Sequence, residues 1–197
     1  MAILKNSITY QTRRWTRAEY GRLTEIGVFR ADERLELIGG DLIVRERQGG
    51  PHSAAIELIN EALRAAFGSG WRIRIQLPVA LDDESEPEPD FSVVTGAPRD
   101  ASLEPKPSCP VLVVEVAESS LAFDRNVKSS LYARARVADY WIVNLVDRVL
   151  EVYREPAAAA EAPFGWHYGQ VQTLRPGDSS SPLALPSARI AVADLLP

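Results

Sequence analysis

The sequence predicts an α/β or α+β fold, in which a mixed β-sheet carries helices on its faces. Three observations lead to this class. Apolar residues follow a helical period over residues 52–67, residues 111–116 form a continuous apolar run broken by one carboxylate, and several shorter β-type segments surround that run. The resulting order of helix, hairpin, helix, several strands, helix and two strands is typical of a mixed sheet flanked by helices.

The first predicted elements are a capped helix and a hairpin. Thr16 and Glu19 form a capping-box pattern, which predicts a helix from this point to about Gly27. Two short β-type runs, residues 34–38 and 42–46, flank a Gly-Gly-Asp turn. This pattern predicts an N-terminal hairpin, because paired glycines supply the backbone that tight turns need.

The middle of the chain predicts a helix followed by strands. We expect the helix at residues 52–67 to stop at the Gly-Ser-Gly of residues 68–70. Residues 71–77 alternate apolar and polar side chains, which predicts a half-buried strand. Acidic residues between 82 and 86 indicate a solvated loop, and residues 90–94 indicate a short strand.

The remaining elements complete one predicted domain. We expect residues 111–116 to be a central strand buried on both faces, followed by a helix over 124–137. Further strands are predicted at 140–143, 149–153 and 166–174, with a low-complexity loop at 157–163. Residues 1–197 are therefore expected to form a single domain, with a core at about 15–155 and a C-terminal extension, 156–197, that packs on it.

Composition excludes several classes of protein. Cys109 is the single cysteine, so a disulfide framework and a multi-thiolate site are excluded, and a reducing cytoplasm is expected. Neither a membrane span nor a secretory signal is expected, because no apolar run is long enough and residues 1–15 lack an apolar region. The net charge of −5 argues against a sequence-independent DNA coat, but not against an enzyme that meets a phosphodiester in one cleft.

Two carboxylates occupy positions that need an explanation. Glu115 lies inside the apolar run, where an unpaired charge would cost several kcal/mol, and Asp90 opens a strand directly after Pro89. If the two strands are neighbours, both carboxylates can converge on one divalent cation such as Mg²⁺. The alternatives are a structural ion pair of Glu115 with an arginine and a turn role for Asp90.

Lys128 lies on the apolar face of the following predicted helix, which it shares with Leu131 and Tyr132. An inward lysine can be directed at a scissile phosphate or at an attacking water. The alternative is a one-turn salt bridge from Asp124 to Lys128, which would stabilise the helix by only a few tenths of a kcal/mol.

Other chemistries lack their motifs. The chain has neither a phosphate-binding Gly-rich loop nor the Gly-x-Ser-x-Gly pattern of serine hydrolases. His52 and His167 are the only histidines, so a His-rich zinc site is not expected. The aromatic residues of the predicted strands and helices are interpreted as core.

Several segments in this order resemble the Uma2 family of restriction-endonuclease-like proteins, in the PD-(D/E)xK nuclease superfamily. The resemblance spans about residues 15–155. The segments are Leu35-Glu-Leu-Ile-Gly-Gly-Asp-Leu-Ile43, Pro51-His52, Glu86-Pro-Glu-Pro-Asp90, Leu112-Val-Val-Glu-Val116, Asp124 with Lys128, Leu131-Tyr132 and Ala138-Asp-Tyr-Trp-Ile-Val143.

The resemblance implies a restriction-endonuclease-like mixed central sheet, and Mg²⁺-dependent hydrolysis of phosphodiesters with Mn²⁺ as a substitute. Carried over by position, Asp90 and Glu115 would bind the metal, together with the backbone carbonyl of Val116. The superfamily lysine would fall at Ala117, so this chain departs from the general pattern, and Lys128 on the next helix is the candidate replacement.

Three more residues are candidate members of the site. Glu36 matches the family's acidic residue in the hairpin, His52 matches the residue that starts the second helix, and Asp124 lies one turn before Lys128. A histidine at a helix start is also a common cap or packing residue.

The expected function is that of a metal-dependent DNA endonuclease. A non-catalytic nucleic-acid- or protein-binding module on the same fold is the rival, and a structural domain with a buried Glu115–Arg pair is a third reading. A homodimer is expected by analogy alone, because two active sites cut two strands most easily.

Overall fold

The computed structural model describes residues 12–30, 32–45, 48–102 and 106–197 of the chain. The prediction that no secretory signal is present concerns residues 1–15, most of which lie outside the described residues. The predicted end of the hairpin at Glu46 lies outside them as well.

A helix and a hairpin form the N-terminal part, as predicted. Helix α1 (Arg17–Glu25) begins after Thr16, which exchanges capping-box hydrogen bonds with Glu19. Strands β1 (Leu35–Ile38) and β2 (Asp41–Val44) pair antiparallel. Both glycines of the turn have positive φ values, 55° and 83°, which is the backbone that a two-residue hairpin turn requires.

A six-stranded mixed sheet forms the centre of the fold. Its strands are β3 (Trp71–Ile75), β4 (Phe91–Thr95), β5 (Leu112–Ala117), β6 (Asp139–Asn144), β7 (Val149–Ala158) and β8 (Trp166–Leu174), hydrogen-bonded in chain order. β5 and β6 run parallel, and the other neighbours are antiparallel. A short 3₁₀-helix (Pro98–Ser102) lies between β4 and β5. The architecture confirms the predicted class.

Helix α2 (Gly50–Phe67) covers one face of the sheet. Its buried residues Ile59 and Leu63 belong to the same hydrophobic core as Val114 and Val116 of β5. The helix ends at Phe67, and the following Gly68 has a φ of 63°, which glycine adopts more easily than other residues.

Helix α3 covers the opposite face and is composite. It joins a short α-helical turn (Leu121–Phe123), a π-helical turn (Asp124–Lys128) and an α-helix (Ser129–Arg134). It therefore begins and ends earlier than the predicted 124–137 and contains a π turn that the prediction lacked. Its Tyr132 packs with Val113 in a second core, so β5 is buried on both faces, as predicted.

Two loop predictions are wrong in part. Glu86 was expected in a solvated loop, but it is buried, because its backbone bridges to Leu37 of the hairpin while Lys106 pairs with its carboxylate. The predicted loop at 157–163 begins later, because β7 continues through Ala158, which pairs with Trp166 of β8.

The C-terminal segment returns to α2. It contains two short paired strands, β9 (Ser179–Ser180) and β10 (Ile190–Ala191), and a 3₁₀-helix (Val192–Leu195). Val192 and Leu195 are fully buried in the same core as α2. In the part of the chain that the structure describes, no helix has both the length and the hydropathy that crossing a bilayer requires.

Candidate active site

Three polar residues lie side by side in the sheet, directly after β3, directly before β4 and within β5. Phe91 of β4 pairs with Ile75 of β3 and with Val114 of β5. The next residues along these three segments are Gln76, Asp90 and Glu115. Glu115 faces α3, because Lys128 and Tyr132 of that helix donate to its carboxylate. The backbone N–H of Gln76 donates to the carbonyl of Asp90, and the N–H of Asp90 donates to Oε2 of Glu115.

The carboxylate of Asp90 is held by groups from several elements. The backbone N–H of Val116 donates to its Oδ2 at 2.9 Å, and Nε2 of His52 lies 3.2 Å from the same oxygen. Gln76 donates to Oδ1 at 3.1 Å, and Arg45 lies 3.5 Å away. Burial alone would raise the pKa of Asp90, but the hydrogen bonds of His52 and Val116 hold it below its ordinary value, so Asp90 is ionised.

Glu115 is surrounded differently. Its Oε1 accepts from the hydroxyl of Tyr132 at 2.8 Å and from the ammonium of Lys128 at 3.0 Å. Burial raises the pKa of Glu115 to about 8. The neighbouring carboxylates also raise this pKa, whereas the ammonium of Lys128 lowers it. The pKa values of the two neighbouring carboxylates are therefore shifted in opposite directions.

Lys128 and Arg45 join the hairpin to this site. The ammonium of Lys128 lies 3.2 Å from Oε2 of Glu36, and Nε of Arg45 lies 2.9 Å from Oε1. The carboxylates around Lys128 hold its pKa above the ordinary value, although burial alone would lower it. Lys128 thus pairs with Glu36 and Glu115, and not with Asp124 as the one-turn alternative proposed.

Most of these groups, but not Gln76 or Tyr132, line one cavity of about 260 Å³. Each of the predicted site side chains contributes to it: Glu36, His52, Asp90, Glu115, Asp124 and Lys128. Asp124 accepts a hydrogen bond from the hydroxyl of Ser120 at 2.6 Å, and burial raises its pKa. The backbone of Val116 also lines the cavity. The structure therefore brings together every residue that the sequence singled out.

A model of the Uma2 family, described as "Putative restriction endonuclease", matches residues 17–193. The chain belongs to the Uma2 family. Its fold is similar to that of a putative nuclease belonging to DUF820 from Anabaena variabilis, whose crystal structure superposes with a TM-score of 0.67 at 17% identity. That similarity covers 92% of this chain and 97% of the other. No functionally curated protein matches the sequence.

A metal ion at this site of the Uma2 chain would have two carboxylates as candidate ligands. Among the described residues, no group of three or more His, Cys, Asp or Glu side chains could hold a metal ion. Mg²⁺ needs fewer protein ligands, because it keeps several waters and uses one or two carboxylates. Asp90 and Glu115 supply two on neighbouring strands, and five acidic side chains line the cavity against two basic ones. This excess of negative charge fits a hard divalent cation.

The sequence interpretation missed three residues of this Uma2 site. Arg45 directly follows β2 and pairs with Glu36, and Gln76 holds Asp90. Tyr132 was interpreted as core, and although it is buried there, its hydroxyl also donates to Glu115. For Gln76 a signal existed, since the alternation over residues 71–77 placed it on the polar face of the strand. For Arg45 no local pattern indicated a partner.

Proposed function

We propose that this Uma2 chain is a Mg²⁺-dependent DNA endonuclease that hydrolyses phosphodiester bonds. The observation that carries the proposal is the convergence of Asp90, Glu115 and Lys128 in one cavity. These groups come from two strands and a helix, and they are the chemical types that phosphodiester hydrolysis uses. The description of the family and that of the structural neighbour point to the same activity.

The proposed metal ligands are Asp90, Glu115 and the backbone carbonyl of Val116. The N–H of Val116 donates to Asp90, and a residue in an extended strand directs its N–H and C=O to the same edge. The carbonyl of Val116 is therefore expected on the side of Asp90. A bound Mg²⁺ would polarise the phosphoryl oxygen and lower the pKa of a bound water.

The other side chains have supporting roles in the proposal. Lys128 carries a buried positive charge beside Glu115 and would stabilise negative charge that develops on the phosphate, or orient the attacking water. Its position replaces the lysine that the superfamily pattern expects at Ala117. His52 holds Asp90, and Glu36 holds the ammonium of Lys128 from the hairpin.

The test is nicking of supercoiled plasmid DNA with Mg²⁺ or Mn²⁺. We compare the wild-type chain with Glu115→Gln, which keeps the shape of the side chain, and with Glu57→Gln as a matched control on the exposed side of α2. Wild type and control should nick equally, and Glu115→Gln should lose at least about 100-fold in rate, the scale of one strong electrostatic contribution to catalysis. Equal nicking by all three proteins would identify a contaminant and reject the proposal.

A non-catalytic binding module is the second candidate. It is favoured by the internal partners of both carboxylates, since Asp90 already contacts His52 and Glu115 already contacts Lys128. Calorimetric titration with Mn²⁺ separates the candidates. Binding at micromolar to millimolar concentration favours the nuclease, whereas a folded protein that binds no Mn²⁺ favours the module. The expected homodimer and cytoplasmic location remain predictions, and sedimentation tests the former.

A further inference from the structure

We propose that Gln76 is a positioning residue that sets the orientation of the Asp90 carboxylate. The proposal rests on the proposed nuclease function, because it assigns Gln76 to the same site. Gln76 directly follows β3, and its amide Nε2 donates to Oδ1 of Asp90 at 3.1 Å and to Oε1 of Gln48 at 2.9 Å. Its backbone N–H also donates to the carbonyl of Asp90 at 3.1 Å. One residue thus holds both the main chain and the side chain of Asp90.

The two carboxylate oxygens of Asp90 are held by different elements, and Gln76 supplies the contact from β3. Oδ2 is held by Val116 and His52, from β5 and α2, whereas Gln76 holds Oδ1 from β3. Rotation of the carboxylate about its last bond would break contacts at both oxygens. Without Gln76, Oδ1 would keep only the longer contacts to Gln48 and Arg45, at 3.4 and 3.5 Å. Gln76 therefore limits the rotation that the remaining contacts allow.

The amide of Gln76 is itself oriented. Its Oε1 faces Nη2 of Arg34 at 3.4 Å, and an arginine can only donate. The oxygen of the amide must therefore face Arg34, which directs the NH₂ group to Asp90 and Gln48. The orientation needed to hold Asp90 is the one that the surroundings of Gln76 favour.

The backbone of Gln76 adopts a conformation that is unfavourable for a residue with a Cβ. Its φ is 49°, in the left-handed region, where a non-glycine residue is uncommon. Three other non-glycine residues of the described chain have positive φ, namely Arg136, Arg148 and Glu155, and of the four only Gln76 donates a hydrogen bond to Asp90. Strained residues that persist often belong to functional sites. A glycine would suit this backbone better, but it could not contact Asp90.

Binding of Mn²⁺ to the full chain tests the proposal. We compare wild type with Gln76→Leu, which removes the amide at similar size, and with Gln172→Leu, the same change at an exposed position on β8. Gln76→Leu should bind Mn²⁺ about 10- to 100-fold more weakly, the usual loss when a residue that orients a metal ligand is removed. Gln172→Leu should bind like wild type. Circular dichroism establishes that each protein is folded.

Gln76→Gly keeps the test valid if the leucine variant does not fold. Glycine accepts the φ of 49° without strain, so this variant should fold and still show the loss of Mn²⁺ affinity. Wild-type affinity in folded Gln76 variants would overturn the role of Gln76 and leave the nuclease proposal intact. A wild-type chain that binds no Mn²⁺ would instead overturn the proposed function, and the role of Gln76 with it.

Discussion

At the scale of single residues, the site depends on two carboxylates with opposite pKa shifts. Asp90 accepts hydrogen bonds that keep it ionised, whereas burial raises the pKa of Glu115 to about 8. When the surroundings of two titratable groups shift their pKa values in opposite directions, the two groups often have different roles in catalysis. Hydrogen-bond donors thus favour the ionised form of Asp90, whereas burial disfavours the ionised form of Glu115.

The raised pKa of Glu115 predicts how stability depends on pH. Between about pH 4.5 and 8, the folded chain keeps a proton that the unfolded chain releases, so the free energy of unfolding falls as pH rises through this range. Glu115→Gln removes this effect. We measure the free energy of unfolding by urea denaturation with a chelator present. Relative to wild type, that of the variant should rise by a few kcal/mol from pH 5 to pH 8. Parallel pH profiles of the two proteins would contradict the assignment, and Glu57→Gln is the control.

The sequence predicted some residues of the site better than others, for a physical reason. Glu115 was identifiable because a carboxylate inside an apolar strand must have a partner, and this is visible in six consecutive residues. Its partners were not identifiable, since they depend on strand register and on helix geometry. Gln76 enters the site only because β3 and β4 pair with a specific register, which is a long-range property of the fold.

At the scale of elements, α3 contains a π turn that spans Asp124 to Lys128. In a regular α-helix, residues four apart lie on one face and can pair. The wider π turn changes this alignment, and Lys128 instead contacts Glu115 and Glu36. Such turns are frequent at functional sites. No residue of the segment distinguishes a π turn from an α turn, which explains why the sequence predicted a regular helix.

Arg125 anchors the π turn to the sheet. Its Nε donates to Glu151 of β7 at 3.0 Å, and the same carboxylate accepts from Asn144 and Tyr153. Arg125→Ala should lower the free energy of unfolding by about 1 kcal/mol, because Glu151 is buried but keeps two other donors. Arg30→Ala, which removes an exposed ion pair, should cost less than about 0.5 kcal/mol in the same urea titration. A loss as small as that of Arg30→Ala would show that the anchor does not stabilise the turn.

The hairpin turn predicts a contrast between two glycines. At Gly40, φ is 83°, and an added Cβ would lie 2.6 Å from the Cβ of Arg14, so Gly40→Ala should lower the free energy of unfolding by about 1–3 kcal/mol. At Gly21, in α1, an added Cβ meets no atom within 4 Å. Gly21→Ala should therefore raise stability by roughly 0.5–1 kcal/mol. Thermal unfolding measures both, and shifts of the same sign would contradict the described hairpin geometry.

Loops were the least predictable elements. The acidic residues before Glu88 indicated a solvated loop, yet Glu86 is buried because its backbone pairs with the hairpin. In contrast, the capping box at Thr16 and the two glycines of the hairpin turn were correctly interpreted, since each is a complete local signal. Local chemistry determines caps and tight turns, whereas the burial of a loop depends on what packs over it.

At the scale of the whole molecule, cation binding should be linked to folding. The net charge is −5, and negative side chains predominate around the cavity, so a divalent cation relieves repulsion in the folded chain alone. At about 100 times its Kd, Mn²⁺ should add roughly 2.7 kcal/mol to the free energy of unfolding and raise Tm by about 5–10 °C. Asp90→Asn should abolish this increase, whereas Glu57→Gln should retain it. An equal increase in both variants would locate the binding elsewhere.

We propose that Asp90 and Glu115 together hold one divalent cation. Anomalous diffraction from a crystal soaked in Mn²⁺ tests it most directly, because the signal locates the metal without any assumption about activity. We predict one strong peak within about 2.2 Å of a carboxylate oxygen of both residues, in the cavity that Lys128 lines. A crystal with full Mn²⁺ exposure and no peak there, or a peak bound only to other acidic residues, would contradict the account.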